Sequence, residues 1–184
     1  MERFTQLSAV IASDARRMRI LHLVKDLELP DCWVAAGFVR SRVWDLLHGR
    51  SSSPMPQDID VIWYDPSQAS SERDAIVESA LRAMDDSLNW SVKNQARMHQ
   101  RNLDQPYQSA SDAMLYWPET ATAVAVRLSD HSVIEIAAPY GLDDLFGLLV
   151  RPTARFQTEK HAVYLDRIRE KAWQTTWPGL KFTS

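Results

Sequence analysis

The pattern that most limits how this chain can fold is Asp58-Ile59-Asp60-Val61-Ile62-Trp63. Side chains alternate along a strand, so Asp58 and Asp60 share one side, while Ile59 and Val61 face a core on the other. Two carboxylates held side by side repel one another unless a cation or water lies between them. Upstream, residues 32–36 read as a short buried strand and Gly37 as a turn where the backbone bends or lets another group come close. A helix follows, with Val39, Val43, Leu46 and Leu47 on one face and Gly49 as its stop. The loop 50–57 (RSSSPMPQ) carries two prolines and three serines, which preclude regular structure. Gly37, Arg40 and the acid pair together suit phosphoryl or nucleotidyl transfer. Mg²⁺ takes one or two carboxylates plus phosphate oxygens, a glycine admits phosphate to the backbone, and a guanidinium matches phosphate oxygens in pairs.

Around this stretch, helices and strands alternate. Helices are expected at 4–12 and after Ser13 or Asp14, the latter with Ile20, Leu23, Val24 and Leu27 inward and Pro30 as its end. Ser71 and Asp74 make a capping box for a helix over 71–86 that turns Ile76, Val77, Ala80, Leu81 and Met84 to one face. A strand over 89–92 leads into the basic run Lys93, Arg97, His99 and Arg101. Ser109 or Ser111 opens a short helix that ends near Trp117-Pro118. Strands 123–128 and 133–137 are joined by Ser129-Asp130-His131 as a hairpin. Helices close the chain at 142–150 and 160–173, the second with Leu165, Ile168 and Ala172 inward. The fold class is α/β (α+β), a mixed sheet flanked by helices. One domain is expected over 1–184, with a core of about 14–150 and a C-terminal helical extension over 151–184.

Several chemistries are excluded. There is no Gly-x-Ser-x-Gly elbow, no His-x-x-x-His pair, no thiolate cluster, no P-loop and no Gly-x-Gly-x-x-Gly turn. Cys32 is the only cysteine, so no intrachain disulfide forms, which fits a cytoplasmic setting. The N-terminus lacks the apolar core of a signal peptide, and no run approaches the roughly 20 apolar residues of a membrane span, so no membrane partner is expected. A net charge of −3 argues against a general nucleic-acid coat but permits a local basic pocket.

AGFVRSRVWDLLHGR followed by DIDV resembles the Gly-Gly-x-Val-Arg-Asp…Leu-Leu-Gly…Asp-x-Asp head of nucleotidyltransferases in the DNA polymerase beta superfamily, as poly(A) polymerases and tRNA CCA-adding enzymes carry it. NWSVKNQARMH, YWPETATAVAVRL and APYGLDDLF look like a family of small bacterial predicted nucleotidyltransferases, and this second resemblance spans nearly the whole chain. It implies a DNA polymerase beta-like mixed sheet with divalent metal, Mg²⁺ or Mn²⁺, at acidic strand ends. By the resemblance, Asp58 and Asp60 are the metal-binding pair, Gly37 is the second glycine of the turn, and Arg40 is the arginine of Val-Arg-Asp. Glu135, on the expected strand 133–137, is assigned as the third carboxylate. Ala36 stands in place of the first glycine and Ser41 in place of the aspartate.

The expected catalytic and metal set is therefore Asp58, Asp60 and Glu135, and the nucleotide-binding set is Gly37, Phe38, Arg40, Asn94 and Arg97. Glu135 has a rival role as an ion-pair partner of Arg127 across the hairpin. The donor is expected to be an NTP, and the acceptor is a small molecule, a protein or RNA. The alternative is an inactive nucleotide-binding or protein-interaction module on the same fold, for which Ala36 and Ser41 speak.

Overall fold

The computed structural model describes residues 1–183. Two helices lead, α1 (Glu2–Ala12) and α2 (Ala15–Lys25), the latter capped by Asp14, whose side chain accepts the N–H of Arg17. They are followed by β1 (Trp33–Ala35), α3 (Gly37–Leu47), β2 (Ile59–Trp63), α4 (Ser71–Met84), β3 (Trp90–Asn94), α5 (Gln95–Asn102) and α6 (Ala110–Met114). The hairpin β4 (Ala125–Leu128) and β5 (Ile134–Ala137) precedes α7 (Asp143–Phe146), β6 (Leu149–Val150), α8 (Ala154–Gln157), α9 (His161–Lys171), α10 (Trp173–Thr176) and β7 (Lys181–Phe182).

The main sheet has five strands in the order β3-β2-β1-β4-β5. Its one parallel pair, β2 with β3, is joined by α4 as the crossover, and every other neighbour is antiparallel. Ile59, Val61 and Trp63 point to the main core with Val34, Val92 and Val126. Asp60 and Ile62 point the other way, and there Trp33, Ala35, Ile62, Ala110, Met114, Ala125 and Ala137 form a smaller cluster. The alternation expected from the Asp-Ile-Asp pattern is thus realised as two faces of one strand.

Several expected faces are rotated. Leu46 and Leu47 are each 38% exposed, and Phe38 and Trp44 fill the core from α3 in their place. In α4 the inward residues are Asp74, Val77 and Leu81, while Ile76 and Met84 face solvent, and the cap is Ser70 rather than Ser71. In α9 Tyr164 is buried and Leu165 exposed, and Ala172 ends the helix in the left-handed region. The expected helix over 142–150 is one turn only. Leu148 takes a positive φ of 55°, and β6 then pairs with β7. Residues 95–102 form a helix capped by Asn94. The core is not confined to 14–150, because Leu7, Ile11, Tyr164, Trp173, Trp177 and Leu180 are all part of it.

Two features hold the loop before β2. Arg17 in α2 is fully buried. Its Nε donates to the Phe38 carbonyl at 2.9 Å, Nη1 to Asp14 Oδ2 at 2.5 Å and to the Ser53 carbonyl at 3.2 Å, and Nη2 to Ser53 Oγ at 3.1 Å. Burial alone would raise the Asp14 carboxyl, but the backbone and side-chain bonds from Arg17 outweigh it and hold it below the ordinary carboxylate range. At the other side of the loop, a Cβ on Gly37 would lie 3.0 Å from Pro56 Cβ, so any larger residue would push the loop back by a few tenths of an ångström. Ala36, just before it, has φ 53° and ψ −114°, a conformation that suits glycine and strains alanine. The residue that departs from the Gly-Gly pattern has kept a glycine's backbone.

Replacing Arg17 with Met strands Asp14 and unties the 53–54 loop; a loss of about 3–5 kcal/mol is expected in urea unfolding. That difference should narrow as pH falls below about 4, because Asp14 then protonates and its contribution, present above the unfolded carboxylate pKa, is lost. Ala36→Gly is expected to raise the melting temperature by about 2–4 °C, the equivalent of about 1 kcal/mol of relieved strain. An unchanged or lower value would show that Ala36 is unstrained.

Candidate active site

Asp58 and Asp60 stand half-buried at the N-terminal end of β2. The Asn89 amide donates to Asp58. Ser91 lies beside Asp60 in the parallel register, and its hydroxyl favours the charged carboxylate. Burial pushes the Asp60 carboxyl above its ordinary range. Arg40 and Lys171 pull it back, and the negative charge of Asp58 pushes it further up.

Arg40 sits one turn into α3 and is only 9% exposed. Its guanidinium lies 4.8 Å from the Trp173 ring and 5.7 Å from that of Trp44. Among the described residues it forms no ion pair, and its Nε is buried without a hydrogen-bond partner. Burial lowers its pKa to about 10, and the nearby Arg167 adds to this, while Glu119 and Asp60 oppose it. It stays charged at neutral pH. No side chain caps the start of α3, so the N–H groups of its first turn, at Gly37 and Phe38, lie at the positive end of an 11-residue helix dipole.

The C-terminal helices border the same place. Glu119 is fully buried: Oε1 accepts from Arg167 Nε of α9 at 2.7 Å, and Oε2 from Thr122 at 2.7 Å. The Arg167 guanidinium lies 5.5 Å from the Trp173 ring, which it shares with Arg40.

The structure brings together Asp58, Asp60, Gly37, Arg40 and the backbone of Phe38. The Phe38 side chain itself is core, beneath the guanidinium of Arg17. The other three expected residues lie elsewhere. Glu135 is on the edge strand β5, with β1 and β4 between it and β2, roughly 14 Å away at ordinary strand spacing. It bonds Arg127 Nε at 2.6 Å across the hairpin, the rival role raised for it. It also lines a cavity of about 560 Å³ to which neither Asp58 nor Asp60 contributes. Cys32 lines that cavity too, with its thiol pushed by burial to about 12 and so kept unreactive. Asn94 ends β3 beside Trp63, at the far end of the strands from Asp58. Its amide is spent on the cap of α5 and on the backbone of Asp65 and Gln68. Arg97 is held by both Nε, at 2.8 Å, and Nη2 on the buried Asp74. No group of three or more His, Cys, Asp or Glu residues is placed to hold a metal among the described residues. The carboxylates available are the pair alone.

Sequence reading missed Arg17, Asp45, Glu119 and Arg167. Arg17 had a signal, because it falls on the same helical stripe as Ile20, Leu21 and Val24, where a solvated arginine does not belong. Asp45 had one as well: an acid near the C-terminal end of a helix opposes the dipole and needs a specific partner. It has three, Arg50 at 2.6 Å, Ser53 at 2.7 Å and the Trp177 indole at 2.8 Å. Glu119 and Arg167 are 48 residues apart and carried no local signal.

A family model described as Nucleotidyltransferase matches residues 22–182. Among solved structures, one reported as an NMR structure revealing a CCA-adding enzyme head domain is 37% identical, with a TM-score of 0.86 over 98% of this chain and 95% of that one. The complex of a CCA-adding enzyme with CTP aligns at 15% identity and a TM-score of 0.58, over 97% of this chain and 43% of that one. The Thermotoga maritima CCA-adding enzyme complexed with tRNA aligns at 14% identity with the same TM-score, over 97% and 42%. This chain thus spans about two-fifths of those two enzymes, and their likeness is one of fold. No curated protein matches. The fold is that of the CCA-adding enzyme head, and the chain belongs to the nucleotidyltransferase family.

Proposed function

We propose that the protein transfers a nucleoside monophosphate from an NTP to an acceptor nucleophile, with a divalent ion held by Asp58 and Asp60. The observation that carries this is the placement of two adjacent carboxylates at the start of β2 beside the first turn of α3, where the buried Arg40 keeps an Nε without a hydrogen-bond partner. Two hard oxygen donors leave room for phosphate oxygens on Mg²⁺ or Mn²⁺, and when bound such an ion supplies Lewis-acid stabilisation of phosphoryl charge. The chain's own residues do the rest. Asp58 and Asp60 fix the ion's place relative to α3. Arg40 and the first-turn N–H groups of Gly37 and Phe38 draw in phosphate oxygens and offset charge on the departing pyrophosphate. Glycine at 37 keeps the backbone open to that approach. Acceleration comes from position and electrostatics, with no covalent enzyme intermediate required.

The neighbours bound to CTP and to ATP support an NTP as donor. The acceptor is a small molecule, a protein or RNA. Ala36 and Ser41 favour an inactive binding module as the second reading. The glycine-like backbone of Ala36 weakens that case, because the turn is kept despite the substitution.

The test uses each α-labelled NTP with Mg²⁺ or Mn²⁺ and candidate acceptors, the protein itself included. Label transfer and pyrophosphate release are expected, with Asp58→Asn or Asp60→Asn lowering the rate at least about 10³-fold. Independently of turnover, Mn²⁺ at ten times its Kd should raise the wild-type melting temperature by about 3–6 °C and leave both variants unmoved. Stabilisation of the variants equal to wild type would remove the acid pair from the ion site. Nucleotide binding with no transfer to any acceptor would favour the binding module.

A further inference from the structure

We infer that the last long helix, α9, belongs to the triphosphate site: Arg167 and Lys171 join Arg40 in holding the β- and γ-phosphates, and Glu119 acts as the positioning residue for Arg167. This rests on the nucleotidyltransferase reading above and adds residues that lie outside the acid pair and the glycine turn.

Three observations lead there. First, Arg40 and Arg167 share one indole, at 4.8 and 5.5 Å from Trp173. Two cations packed against one ring beside a buried, unpartnered Nε form a place that an anion would relieve. Second, Lys171 is exposed on the last turn of α9, four residues beyond Arg167 and so on the same helix face. Arg167 is bound to Glu119 and Arg169 to Asp166, so among the described residues Lys171 is the lysine or arginine of α9 with no ion pair. Third, the charges balance before any ligand enters. Asp58, Asp60 and Glu119 offset Arg40, Arg167 and Lys171, three against three. A divalent ion on the acid pair then leaves the site positive, the sign a triphosphate needs.

Glu119 explains why Arg167 can serve here without collapsing onto Asp60. With Oε1 on Nε of Arg167, the buried carboxylate fixes the base of the guanidinium and leaves its two terminal nitrogens to turn toward a ligand. Truncating Glu119 would strand a cation, and truncating Arg167 would strand a buried carboxylate. Neither is a clean test, whereas Lys171→Gln and Arg167→Lys are.

The experiment is calorimetric titration of the whole chain with ATP, inorganic tripolyphosphate and AMP, each with Mn²⁺. Lys171→Gln should weaken ATP and tripolyphosphate by about 5–10-fold and leave AMP within about two-fold, because the lost charge faces the outer phosphates. Arg167→Lys should act in the same direction while keeping the pair with Glu119. Wild-type affinities for ATP and tripolyphosphate in both variants would remove α9 from the site and leave the acid pair untouched. An equal loss for all three ligands would assign the residues to structure and likewise overturn the proposal. A wild-type protein that binds none of the three would overturn the nucleotidyltransferase reading itself, and this inference with it.

Discussion

A guanidinium sealed inside protein has to place its donors on oxygen, and in this chain that requirement sets the position of the reactive end. Arg17 reaches from α2 to the first turn of α3, through the Phe38 carbonyl, and to the loop before β2, through Ser53. It thereby ties α2 to the helix that carries Gly37 and Arg40 and to the loop that leads into Asp58 and Asp60. Because the side chain is fully buried, each lost bond leaves a donor or acceptor dry, so the arrangement is all or none. Asp45 repeats the device from the other side. It gathers Arg50 and Ser53 of the same loop and the indole of Trp177, so the C-terminal segment is fastened to the helix that bears Arg40.

The opposite end of the sheet uses similar chemistry for a different purpose. Buried Asp74 takes the Trp63 indole, the Asn94 N–H and the Arg97 guanidinium, and so joins β2, β3, α4 and α5. The carboxylate of Asp74 is fully engaged there by groups of the protein itself. At the Asp58 end, by contrast, Arg40 keeps an unpartnered Nε, and neither Asp58 nor Asp60 forms an ion pair among the described residues. The Asp74 carboxylate is a joint, whereas the acid pair is left to meet something from outside the protein.

Legibility in the sequence followed range. The strand Asp58 to Trp63, the turn at Gly37, the Ser109 cap and the β4–β5 hairpin are encoded by neighbours, and all appear where period and turn chemistry put them. The finer faces of α3, α4 and α9 shifted because aromatic and charged residues, Trp44, Asp74 and Tyr164, took inward places that an aliphatic stripe had been expected to fill. Asn94 and Arg97 illustrate the same limit. Their residue types suit phosphate, but whether such groups are free depends on Asp65, Gln68 and Asp74, which reach them only after folding. Glu135 had the right local pattern on the wrong strand, and strand order is not a local property. The pairing of Glu119 with Arg167 spans nearly fifty residues and left no trace in either neighbourhood.

The Trp44–Trp173–Trp177 cluster has one more consequence. Trp44 meets Trp173 edge-on at 5.7 Å and Trp177 at 5.2 Å, and the two arginines that flank Trp173 belong to the place where phosphate is expected. An indole's emission responds to charge held a few ångströms from its ring. The protein therefore carries its own optical reporter beside the two arginines, packed with two further indoles in the core. Events at the acid end should alter the emission of this indole, one of seven in the chain.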